Sequence, residues 1–201
     1  MNRRLAVLAA AFAATALAVP ADAAKVVCLQ IQDETGDGTN GVVPNQDSLD
    51  ILSGDIATGK KNLVGVLRMK SVNPDQILVG GVTYQLKFAS GGTPYVLSYR
   101  TYGMGEPDAD IAIGDSINGG STFAVDFAVD PNTGTITWTV PRKSIPALKK
   151  PGAKFSGLAA TSAISNNMKG PTGTSRGSTS ADSAETAKTY VDGTTTCVKG
   201  T

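Results

Sequence analysis

The run DETGDGTNG, residues 33–41, places three acids and three glycines within nine residues, directly after an apolar stretch. Calcium takes about six to eight oxygen ligands, and the loops that supply them combine spaced carboxylates with glycine at a sharp turn. Asp33, Asp37 and Gly38 fall on the first, fifth and sixth positions of a helical-type calcium loop. Thr35 stands where that loop needs an acid, and Pro44 stands where it needs a closing Glu, so the segment is no EF-hand. A cation held here has a structural role, and its remaining ligands must come from elsewhere in the fold. The competing reading is an ion-free acidic turn, since Asp and Gly are ordinary turn residues.

Other chemistries are restricted by composition. The chain has no histidine, which removes the commonest general base, the Ser-His-Asp and Cys-His arrangements, and most zinc, copper and haem ligation. Gly54 to Lys61, GDIATGKK, has the phosphate-loop spacing, but Lys61 replaces the hydroxyl that should hold magnesium, and a strand-like run follows instead of a helix. It reads as a hairpin turn with solvated lysines. A glycosidase needs two carboxylates facing each other across a cleft; Glu34, Glu106 and Glu185 all sit in loop-like or terminal settings. The chain is therefore read as non-catalytic, with a hydrolase as the minority reading.

Sugar rings stack on exposed aromatics. Trp138, Tyr84, Phe123 and Phe127 fall on apolar strand faces and belong by default to the core. In PYVLSYRTY, residues 94–102, Tyr95, Leu97 and Tyr99 share one face, which leaves Arg100 and Tyr102 on the other as the candidate ligand pair. The alternative is a Tyr packed at a rim beside an Arg paired with an acid.

Residues 1–23 run from Arg3 and Arg4 through an apolar stretch to Pro20 and Ala-Asp-Ala, the order of a secretory signal peptide. The apolar part is short for a membrane span, which needs about 20 residues. The expectation is a secreted protein with no membrane span in its mature form. Losing Arg3, Arg4 and Asp22 takes the formal net charge from +1 to neutral, so no general attraction to nucleic acid is expected. Arg142, Lys143, Lys149, Lys150 and Lys154 cluster locally and read as solvated loop charges in preference to a polyanion patch. Cys28 and Cys197 are the only cysteines. In an oxidising compartment they are expected to form one bridge clasping the termini, worth at most roughly 5 kcal/mol in the chain-entropy model.

Period-two alternation supplies the elements that must position these groups. It is clearest in 82–88, 123–129 and 136–140, and DPNTG between the last two is a hairpin turn. Further strands are expected over 26–31, 49–57, 63–69, 95–102, 109–113, 155–164 and 189–198. A short helical turn is expected at 142–148, bounded by Pro141 and limited by Pro146. Residues 165–188 are rich in Ser, Thr and Gly without periodicity and read as a flexible loop. The fold class is all-β: one domain over 24–201, a two-sheet antiparallel sandwich of jelly-roll-like form.

The order DETGD, LDI at 49–51, NLVGVLRM, DPNTGTITWTVPRKSI, KPGAKFSGLAA and ADSA resembles that of secreted bacterial β-sandwich modules related to DOMON-like and family 9 carbohydrate-binding domains. The resemblance implies extracellular placement, recognition of sugars and structural cations. It points to Asp50 of LDI and Asp182 of ADSA as further calcium ligands. If the first and last strands instead paired antiparallel, Asp192 would lie beside Asp33. The expected function is a secreted non-catalytic module recognising extracellular glycan; the alternative is a protein-interaction or surface-structural module.

Overall fold

Alternation with one apolar face builds sheets that must bury that face against each other, and the described residues do so with thirteen strands. The structure, a computed structural model, describes residues 29–39, 46–72, 81–102, 106–114, 120–165, 178–192 and 199–200. The signal-peptide segment 1–23, Cys28 and Cys197 lie outside the described residues. Among the described residues no helix is long and apolar enough to cross a membrane.

In chain order the strands are β1 Ile31–Gln32, β2 Ile51–Thr58, β3 Asn62–Met69, β4 Gly81–Ser90, β5 Thr93–Arg100, β6 Asp108–Ile113 and β7 Ser121–Ala124. There follow β8 Asp126–Asp130, β9 Thr135–Pro141, β10 Lys154–Ser165, β11 Ser178–Thr186, β12 Tyr190–Val191 and β13 Lys199–Gly200. One sheet has the order β1-β2-β3-β9-β8; the other runs β13-β12-β10-β4-β5-β6-β7, with β11 also pairing to β10. Every pairing is antiparallel. The two-sheet sandwich is the architecture expected from the alternation.

The core lies between the sheets. Leu63, Leu67, Ile136 and Trp138 of the first sheet face Tyr84, Leu86, Leu97 and Ile111 of the second, all fully buried. Trp138 also donates its indole N–H to the Ser98 carbonyl at 3.0 Å, a polar tie from β9 across to β5. Both long sides of the sandwich are stitched. On one side the chain leaves β7, turns at Val125, whose N–H donates to Ala109 O at 3.2 Å, and enters β8 of the other sheet. On the other side Tyr190 donates its hydroxyl to Gln30 O at 3.1 Å, and Thr39 N–H donates to Ala181 O at 3.1 Å.

Three expectations are corrected. The Ser/Thr-rich segment 165–188 is not loop throughout: β11 occupies its second half, with Ala181 and Ala184 buried against the core. Small residues can line a close-packed sheet without producing a strong alternation. Phe127 is exposed (39 %), because the change of sheet at Val125 breaks the single face assumed for 123–129; its ring packs on Tyr99 at 5.3 Å. The expected helical turn at 142–148 is two separate 3₁₀ turns, Arg142–Ser144 and Pro146–Lys149, divided by Ile145, whose side chain is fully buried.

Candidate metal centre

β1 is short because the chain turns away at Asp33 into the acidic loop, and two glycines shape that loop. Gly36 has φ +96°, a left-handed conformation that side chains disfavour, and its N–H donates to Asp50 Oδ2 at 2.7 Å. A Cβ on Gly38 would lie 2.7 Å from the backbone of Asp50, so the loop reaches that strand entrance only as glycine. Gly38 O then accepts from Gln46 N at 3.0 Å, and Thr39 anchors the far end of the loop to β11.

This folding brings Asp33 and Asp37 to Asp182 of β11, with carboxylate oxygens of the three all within 4.8 Å of one another. Asp182 is held from the opposite side: its Oδ2 accepts from Ile51 N and its Oδ1 from Ser183 N, each at 2.7 Å. Asp50 is fully buried beside the loop, braced by Gly36 and approached by Lys70 at 3.9 Å, while Lys70 pairs more closely with Asp47 at 2.9 Å. Two carboxylate oxygens, Asp33 Oδ2 and Asp50 Oδ1, are buried with no hydrogen-bond donor among the described residues. Such orphaned acceptors normally cost stability unless something compensates them.

The electrostatics follow from crowding. Burial, and then the neighbouring Asp182 charge, push the Asp33 carboxyl up to about 6. Burial also raises Asp182, with Asp37 and Asp50 adding repulsion. Asp50 rises through burial too, offset in part by the Gly36 N–H and Lys70. The donors are all carboxylate oxygens, which suits a hard cation such as calcium and not zinc or copper. Oxygens within 4.8 Å of one another also suit one ion at bond lengths of about 2.3–2.6 Å.

The four acids expected as ligands, Asp33, Asp37, Asp50 and Asp182, are thus brought to one place, with three in mutual reach and Asp50 as the brace. Asp192 is not among them. β1 pairs with β2, Ile31 opposite Gly54, and not with the last strand. Asp192 instead accepts from Arg142 and from the Thr58 hydroxyl at another part of the surface.

Arg100 and Tyr102 do share a site, but each is engaged with β6. Arg100 reaches Asp110 at 2.5 Å and Asp108 at 3.5 Å, and Tyr102 donates its hydroxyl to Asp108 at 2.8 Å. This is the Arg-with-acid alternative, and those groups are committed to holding β5 and β6 together. The arrangement that sequence reasoning missed is a cleft of about 590 Å³ where the β2–β3 turn meets the two 3₁₀ turns. Lys143 and Lys149 were visible as a basic cluster, but nothing local signalled that Lys60 and Lys61, some eighty residues earlier, would join them.

Comparison with protein-family models, curated proteins and solved structures gave no match to this chain.

Proposed function

We propose that the protein is an exported, non-catalytic β-sandwich module that recognises an extracellular glycan, and that Asp33, Asp37 and Asp182 hold a structural calcium ion. The observation that carries the calcium assignment is the meeting of three carboxylates beside a buried, donorless Asp33 oxygen. Bound there, the ion links the first strand's loop to β11 and so holds the two sheets together along one side. The non-catalytic reading is supported by the lack of histidine and by the exposure of Glu34, Glu106 and Glu185. The glycan reading is supported by the resemblance of the motif order and by a solvent-open cleft lined with cationic groups.

Thermal unfolding in millimolar calcium and in chelator tests the ion. At a hundredfold excess over Kd the gain is about 2.7 kcal/mol, roughly 5–10 °C for a domain of this size. Asp37→Asn, at an exposed position, should fold normally and lose the calcium response. An unchanged midpoint in calcium, with no metal in the native mass spectrum, would leave the segment an acidic turn.

The pH dependence has a definite sign. Folded Asp33 titrates near 6 against an ordinary 3.8. Between those values the folded state holds a proton that the unfolded state has lost, so without calcium its contribution to stability falls as pH rises through this window. Calcium replaces that proton, so its stabilising increment should be small at pH 5 and full at pH 7. A calcium increment as large at pH 5 as at pH 7 would contradict this assignment.

The Cys28–Cys197 bridge is part of the same proposal. Tyr190 hydrogen-bonds Gln30 O and pairs with Gly200, so the described neighbours of both cysteines converge on one residue. Non-reducing mass spectrometry of the exported protein should show a two-proton deficit. Two alkylatable thiols in the native protein would refute the bridge.

A further inference from the structure

We propose that the lysine-lined cleft between the β2–β3 turn and the two 3₁₀ turns is the glycan site, and that its ligand is an anionic polysaccharide carrying carboxylate or sulfate groups. The proposal rests on the glycan reading above and specifies both its place and its ligand class.

Lys60 and Lys61 stand on one wall, Lys143 and Lys149 on the other, and all four are exposed. None forms an ion pair with a carboxylate among the described residues, whereas Lys70, Arg68, Arg100 and Arg142 all do. In a chain of formal net charge +1, four ammonium groups around one cleft with no carboxylate partner among the described residues are a local concentration and not a general basic bias. Such a field attracts polyanions and focuses them within the low-dielectric walls.

Arg142 also lines the cleft, but its charge is already used. It pairs with Asp192, and donates to Leu148 O at 3.2 Å and to Gly59 O at 3.3 Å. Its backbone N–H donates to Lys61 O at 2.8 Å. One side chain thereby ties the β2–β3 turn, the second 3₁₀ turn and the segment after β12 into a fixed frame. Arg142 is a positioning residue, and the lysines are the groups left to contact ligand. A frame held before binding reduces the ordering cost that binding must offset to the lysine side chains themselves.

The rest of the lining selects the class. Exposed Pro141 supplies apolar surface, which suits the C–H face of a sugar ring. Among the described residues no aromatic side chain lines the cleft, so they offer no platform for the base stacking on which single-stranded nucleic acid binding depends. Lysine acts as a point charge without the bidentate fork of arginine, which fits charges spaced along a polymer better than a single planar group. The volume of about 590 Å³ lies in the range of small-ligand sites, about 300–1,000 Å³, and its open form allows a chain to pass through.

The test is calorimetric titration of the exported protein with heparin, polygalacturonate, neutral dextran and a single-stranded DNA of matched charge, at several salt concentrations. The charge-removing pairs Lys60→Gln with Lys61→Gln, and Lys143→Gln with Lys149→Gln, are compared with Lys188→Gln as an exposed control. Thermal midpoints should be unchanged, since exposed lysine substitutions seldom alter stability. Support is binding of at least one anionic polysaccharide, weakened at least tenfold by each pair, with a shallower salt dependence, and unaffected by Lys188→Gln. Equal binding by the cleft pairs, or DNA bound as tightly as polysaccharide, would overturn the proposal. Binding of dextran alone would overturn it while leaving the glycan reading intact; no binding of any saccharide would remove both.

Discussion

Trp138→Ala is expected to lower the free energy of unfolding by about 3–5 kcal/mol, the range for deleting a large aromatic from a packed core. Trp138 is the only tryptophan and is fully buried. It sits on β9, opposite Gly65 of β3, in the middle of the first sheet. A Cβ on Gly65 would lie 2.4 Å from Leu97 and 3.5 Å from the indole, so the two sheets approach closely there and the ring has little freedom to be replaced by relaxation. Its removal also leaves Ser98 O without the indole donor. Trp138→Phe separates the two contributions: most of the apolar volume stays and the hydrogen bond goes, for an expected cost of about 1–3 kcal/mol. Urea unfolding followed by circular dichroism, since tryptophan fluorescence is lost, measures both variants. A cost below about 1 kcal/mol for the alanine variant would contradict the central packing role of Trp138.

Asp55→Ala is expected to cost a similar about 3–5 kcal/mol, for a different reason: it takes the Asp55 carboxylate away from the partly buried Arg68 guanidinium. Asp55 is fully buried on β2 and accepts from Arg68 Nη1 at 2.5 Å and from Gln30 N at 2.9 Å. The same Arg68 nitrogen also donates to Ser53 Oγ at 3.2 Å, a neutral acceptor that does not replace the carboxylate charge. Gln30 matters too, because its side-chain amide extends the sheet like a backbone: Ile56 N donates to its Oε1 at 2.7 Å and its Nε2 donates to Ile56 O at 3.0 Å. Loosening Gln30 therefore loosens the entry to β1. Combining Asp55→Ala with Arg68→Met should recover a large part of the loss, since an apolar pair leaves no stranded charge. Purely additive losses in that cycle would show that the ion pair is not the source of the cost.

These two sites mark what could and could not be read from the chain. Trp138 was legible as core because ITWTV alternates, and period two is a local property that a single strand displays. Strands β4 and β9 and the DPNTG hairpin were legible for the same reason. Asp55 was not legible as a buried ion-paired acid. It lies inside a segment that mimics a phosphate loop, and its partner Arg68 is reached only across the β2–β3 pairing. Asp33 and Asp37 carried a local signal in the glycine-rich loop, but their meeting with Asp182 depends on how the last part of the chain returns. β11 was hidden because Ala181 and Ala184 bury too little to create a visible pattern. The cleft was half legible: a basic cluster after Pro141 could be counted, while the opposite wall is contributed by a distant turn.

The stitching of the Gln30 side of the sandwich also sets an order of assembly. Ile51 reaches Asp182 across 131 residues and Gln30 reaches Tyr190 across 160, so these contacts close some of the longest loops the chain can form. Such closure is slow, because its entropy cost precedes its reward. On a chain made from its N-terminus, the acidic loop emerges early yet must wait for β11 and β12 before it acquires its shape. Hairpins such as β2–β3, β4–β5 and β8–β9 have no such delay. The first strand is then a late arrival in folding, and the acidic loop meets Asp182 only once nearly the whole chain is available.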